Sequence, residues 1–88
     1  MSYTLFWTQS ALHSLAAIWT ESSDRSAVTA ASHWLEQMLG RQPLVFGESR
    51  LSSVVRVGYR KPLGMEFEVV EDDKRVNVLR VWSLTSQT

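Results

Sequence analysis

Hydrophobic and polar positions change their period twice along this chain. Tyr3, Thr4, Leu5, Phe6 and Trp7 form a short run of aromatic and β-prone types that predicts a strand. Thr8 offers a hydroxyl to cap the first helix. From Ala11 the spacing becomes helical, with Leu12, Leu15, Ala16 and Trp19 on one stripe and Ala11 and Ile18 at its flanks. Thr20 to Asp24 is a polar break. Ser23 or Asp24 caps a second helix, whose stripe is Val28, Ala31, Leu35, Met38 and Leu39, with Gly40 as a stop and Pro43 beyond it. A break of about five residues predicts an antiparallel αα-hairpin.

After Pro43 the period shortens to two. Leu44 to Ser53 reads as a connecting segment. From Val54, the residues Val55, Val57 and Tyr59 point one way and Arg56, Gly58 and Arg60 the other. Lys61-Pro62-Leu63-Gly64 is a turn signal. Met65, Phe67 and Val69 then alternate with Glu66 and Glu68, and Glu71-Asp72-Asp73-Lys74 makes a second, charged turn. Arg75 to Ser83 is apolar on both faces, the pattern of an interior strand. Its neighbours are expected to be residues 65–71 and the strand that opens the chain. The order strand, two helices, three strands predicts an α+β, two-layer architecture, β-α-α-β-β-β, with the hairpin on one face of a mainly antiparallel sheet.

The chain's 88 residues suit one domain, 1–88. The sequence has no cysteine, which removes disulfides and thiolate metal sites and fits a reducing cytoplasm. No apolar run approaches the roughly 18–20 residues of a membrane span. Nine basic residues balance nine acidic ones, which argues against wholesale phosphate binding. The distribution is uneven. Residues 1–40 hold Arg25 against Glu21, Asp24 and Glu36, whereas residues 41–88 hold eight bases against six acids.

The chemistry-bearing residues narrow the field further. His13 and His33 project to the flank and solvent face of their helices, with no partner at metal-ligand spacing, so no metal site is expected. The serines lie in no nucleophile turn, and the glycines form no phosphate loop. No cofactor motif is present. Glu66 and Glu68 share a strand face and are expected to pair across strands with Arg56 and Arg60. Arg56, Arg60, Lys61, Arg75 and Arg80 form a basic group beside Tyr59 and Trp82, which have the faces to stack on a base.

Several segments together resemble the RelE/ParE toxin superfamily. Tyr3 to Trp19 is similar to its opening strand and first helix. Pro43-Leu44 with Gly47-Glu48-Ser49-Arg50 resembles its connection into the sheet. Leu63 to Val69 stands where the family has a Gly-Tyr-Arg-x-x-Tyr-x-Val strand, and Val76 to Trp82 is similar to its closing strand. The resemblance implies a two-helix hairpin over an antiparallel sheet, with the closing strand beside the first. It also implies a growth-inhibiting, plasmid-stabilising bacterial toxin neutralised by a cognate antitoxin. Two routes are implied, ribosome-dependent cleavage of messenger RNA (RelE-type) and inhibition of DNA gyrase (ParE-type). The ribonuclease branch carries an arginine after its Gly-Tyr pair and basic and tyrosine residues after its closing strand. Here Glu66 occupies the first position, and the end of the chain, Ser83 to Thr88, has no Arg, Lys, His or Tyr. Cations are needed there to stabilise developing negative charge, so the resemblance points to the ParE-like branch and to no confident catalytic residue. If the chain were a ribonuclease, Arg56, Arg60, Lys61 and Arg80 would be its set. A non-toxic interaction domain is a further alternative.

Apolar side chains exceed what a thin core hides. Trp7, Trp19, Trp34, Trp82, Phe46 and Leu44 cannot all face inward, so a partner is expected on an exposed sheet edge near 54–59 and on the hairpin. The residues expected at that surface are Trp19, Trp34, Val55, Arg56, Val57 and Trp82, with a homodimer as the alternative occupant.

Overall fold

The computed structural model describes residues 2–43, 48–49 and 55–84. Strand β1 (Thr4–Trp7) leads directly into helix α1 (Gln9–Glu21), and α2 (Arg25–Arg41) follows after a three-residue turn. Next come β2 (Glu48–Ser49), β3 (Val55–Arg60), β4 (Leu63–Val70), a 3₁₀ turn at Glu71–Asp73, and β5 (Arg75–Ser83). The sheet order is β1-β5-β4-β3-β2, with β1 parallel to β5 and every other pair antiparallel. The α+β reading holds, and the closing strand lies inside the sheet between β1 and β4 as expected, but only one of its faces is apolar: Val76, Val78 and Val81 are buried, while Arg75, Asn77, Arg80 and Trp82 occupy the other face.

Both helix caps follow from local chemistry. The Thr8 hydroxyl accepts from the Ala11 N–H at 3.1 Å and donates to the Leu79 carbonyl at 3.2 Å, which ties the start of α1 to β5. Asp24 accepts from the Ala27 N–H at 3.1 Å, satisfying one donor that the first turn of α2 would otherwise leave unpaired. Helix α2 runs one residue past Gly40, and the Gly40 carbonyl accepts from the Tyr3 N–H, joining the end of the hairpin to the start of the sheet.

The core lies between the hairpin and one face of the sheet. Val28, Ala31, Leu35 and Leu39 of α2 meet Leu63, Met65, Phe67 and Val69 of β4 and Val76, Val78 and Val81 of β5. Helix α1 departs from expectation. Its buried line is Ala11, with Leu15 and Ile18 packed against the core, while Leu12 and Trp19 are 50% and 44% exposed. The Cβ of Ala11 is small enough for close approach to the sheet, and positions 11, 15 and 18 follow it at helical spacing. The stripe of Leu12, Ala16 and Trp19 is thereby turned towards solvent and α2.

Three expectations about β3 are corrected. Glu48–Ser49, read as connection, pairs with Val57 and Arg56, so β3 is not the bare edge along its length. Arg56 and Arg60, expected in one basic group beside Tyr59 and Trp82, are not on the face that those rings occupy. They stand opposite Phe67 and Leu63 and so share the helix-covered face. Glu66 and Glu68 therefore do not pair with them. The inward set of β4 decides this: once Leu63, Met65 and Phe67 face the helices, the short turn at Lys61-Pro62 commits Arg60 to the same side. Val54, Leu44 and Phe46 lie outside the described residues. No helix among those described is long and apolar enough to cross a membrane.

Candidate functional site on the open sheet face

The face of the sheet turned away from the helices collects side chains from four strands. The registers place Thr4 and Phe6 of β1, Arg75, Asn77, Arg80 and Trp82 of β5, Gly64, Glu66 and Glu68 of β4, and Val55, Val57 and Tyr59 of β3 on it. Gly64 stands opposite both Tyr59 and Trp82. A Cβ at position 64 would lie 2.5 Å from the indole Nε1, so only glycine leaves room for the Trp82 ring over the β4 backbone. The two rings meet edge-to-face, with centroids 6.4 Å apart.

Charge on this face is largely cancelled within it. Arg80 Nε donates to Glu66 at 2.9 Å, and its guanidinium lies 5.4 Å from the Trp82 ring centre. The Asn77 amide donates to Glu68 at 3.0 Å. Arg75 lies 5.6 Å from the ring centre of Phe6 and 3.7 Å from Asp73. A slip in register between Glu66 and Phe67 makes these pairs: Glu66 faces Arg80 and Phe67 faces Val78, leaving Leu79 as the extra residue.

The four cations named for a ribonuclease do not converge. Arg80 is on the open face. Arg56 is on the helix side, and the guanidinium of Arg60, also on that side, sits 4.6 Å from the ring centre of Trp34 on α2. Lys61 is exposed in the turn. No group of three or more metal-ligating side chains gathers among the described residues.

The six residues expected to meet a partner divide between the two layers. Val55, Val57 and Trp82 lie on the open face. Trp34 is half-buried against the core, and Arg56 shares that side. Trp19 borders a groove of about 460 Å³ between the helices, floored by Leu12, Leu15, Ala16 and Val28 with His33 and Glu36 on its walls. The Trp19 ring donates to the Thr29 hydroxyl at 3.2 Å and carries Arg25 4.8 Å from its centre. Sequence reasoning missed Phe6 and Leu12 as exposed apolar residues. The alternation of Tyr3, Leu5 and Trp7 against Thr4 and Phe6 contains the signal for Phe6, since three apolar partners on one side send the fourth outward.

The sequence matches no family model and no curated protein. Its backbone does match solved structures. The toxin–antitoxin complex RelBE2 from Mycobacterium tuberculosis superposes with a TM-score of 0.75 at 21% identity, over 94% of this chain and 99% of that one. The chromosomal ParDE TA system from P. aeruginosa gives 0.71 at 19%, over 96% and 98%. A mutant of E. coli toxin RelE in complex with an antitoxin RelBc peptide gives 0.67 at 16%, over 98% and 87%. With its backbone superposing on theirs over nearly the whole length, this chain has the fold of the RelE and ParE toxins.

Proposed function

We propose that the chain is the toxin of a toxin–antitoxin pair, that it acts by protein–protein contact in the ParE-like manner, and that a cognate antitoxin neutralises it. The fold supports the toxin class, and the pairing of Arg80 with Glu66 carries the choice of route. A ribonuclease face must present cations to a phosphate and to the negative charge that develops on cleavage. Here the arginine nearest the centre of the face is held by a carboxylate, Glu68 stands beside it, and the other candidate cations point to the helix layer or the turn. What this face offers instead is aromatic and arginine surface with its charges already matched, the composition of a protein-binding patch. DNA gyrase is the target that the sequence resemblance implies.

The antitoxin has two surfaces to use, the open face and the interhelical groove. An extended segment on a sheet edge and an apolar helix on the hairpin would engage both layers.

Induced expression tests the reading. Growth arrest with intact transcripts and induced DNA damage is the expected result, relieved by the neighbouring antitoxin gene. Transcripts cut within codons would assign the chain to the RelE-type route instead, with Arg75 and Arg80 over their aromatic rings as the place to look. Unaffected growth would leave an interaction domain without toxicity.

A further inference from the structure

The outer edge of β1 carries its own instruction for pairing. Thr4 N–H bonds the Lys74 carbonyl and Thr8 N–H bonds the Val78 carbonyl. In a parallel ladder the residues between them alternate, so Phe6 also turns its main-chain groups towards β5, and Leu5 and Trp7 turn theirs outward. No strand pairs with that edge among the described residues. Natural edge strands are usually blunted by a charge, a proline or a bulge. Thr4-Leu5-Phe6-Trp7 has none of these. Phe6, at 52% exposure, is also the most exposed large hydrophobic residue described.

We infer that the chain self-associates through β1, antiparallel about a two-fold axis at Phe6. The pattern is self-complementary. With Phe6 opposite Phe6 of the second copy, Leu5 stands opposite the second copy's Trp7, and the reverse pair forms by symmetry. Both are hydrogen-bonded pairs, because Leu5 and Trp7 are the residues whose N–H and C=O face out. Phe6 falls on the non-hydrogen-bonded position between them, where opposed side chains approach most closely. The two phenyl rings then cover one another on the open face.

Charge agrees with this register. No charged side chain belongs to β1, so none meets its like across the axis. At Tyr3 the outer edge is already engaged, because its N–H bonds the Gly40 carbonyl at the end of α2, so the pairing is confined to Leu5, Phe6 and Trp7. So short an edge and one aromatic pair bury less than the ~1,200 Å² of a standard stable interface, so the association is weak and depends on concentration. The product is one continuous sheet with two copies of the Tyr59/Trp82 patch on the same side. The inference rests on the edge alone and does not depend on the toxin reading.

The absence of cysteine allows a direct test. A non-hydrogen-bonded pair holds its Cα atoms about 4.5 Å apart, inside the ~4.4–6.8 Å range of a disulfide. Phe6→Cys should form a linked dimer under mild oxidation at least ten times faster than Leu12→Cys, which is equally exposed but sits on the hairpin. In sedimentation equilibrium the unmodified chain should show a mass that rises with concentration, and Phe6→Asp should remain monomeric with an unchanged circular dichroism spectrum. A monomer at every concentration overturns the inference. Equal linking of the two cysteine variants overturns it too, as does a dimer that survives Phe6→Asp but is lost in Trp19→Asp, which would place the contact in the interhelical groove.

Discussion

Tyr59 and Trp82 meet across Gly64, one from each neighbouring strand, over the single position on β4 where a side chain would leave no room for the indole. The glycine is thus the floor of the aromatic patch. Gly64→Ala should lift Trp82 off the sheet and cost about 1–3 kcal/mol through overpacking. The check is chemical denaturation together with near-ultraviolet circular dichroism. Placing Gly64→Ala in a Trp82→Leu background should recover most of the loss, since the atoms in collision are those of the indole.

The Arg80–Glu66 pair predicts two silences. Arg80→Ala and Lys61→Ala should leave cellular transcripts as intact as the parent chain does, because no cleavage is expected to be lost. Stability should fall by about 1 kcal/mol for Arg80→Ala, since the arginine side chain is 67% exposed and water screens its charge, while Glu66, 14% exposed, loses its partner. Ribosome-dependent cleavage by the parent chain, abolished by either substitution, would refute the ParE-like reading.

Thr8 is expected to matter beyond its helix. Its hydroxyl caps α1 and also donates to the Leu79 carbonyl on β5, so Thr8→Ala removes two bonds and should destabilise the chain by about 1–2 kcal/mol. Thr8→Ser should retain most of that stability. Urea denaturation of the two variants side by side makes the comparison.

Antitoxin binding is expected to protect the chain at 55–59 and around Trp34 and Trp19 on the hairpin. Amide hydrogen exchange with and without the cognate partner measures this. Slowed exchange confined to the charged turn at 71–74 would show that neither the sheet nor the hairpin is the docking surface.

Period and punctuation along the chain determined the elements. The alternation at 55–60 and 65–69, the helical spacing from 11 to 39 and the caps at Thr8 and Asp24 are local properties, set by backbone geometry and by hydroxyl or carboxylate oxygens within three residues of the N–H they satisfy, whereas Leu63 and Gly64, read as part of the turn, begin β4. The interior place of residues 75–83 was read correctly, but from two apolar faces where the structure has one, since Arg75, Asn77 and Arg80 line the open side. The likeness to RelE and ParE toxins was legible for the same reason, since it resides in element order and strand pattern. Only the tertiary structure decided which face each element presents. Period two separates Arg56 and Arg60 from Val55 and Val57 but does not say which set meets the helices. The buried run of Leu63, Met65 and Phe67 settled that through the turn register. Helix α1 shows the same limit. Two overlapping stripes, 11-15-18 and 12-16-19, are both apolar, and the rotation was chosen by how closely the Ala11 backbone could approach the sheet. The partnership of Arg80 with Glu66 depends on a slip of one residue between β4 and β5. Such a slip leaves no trace in either strand taken alone, because it is a property of their pairing.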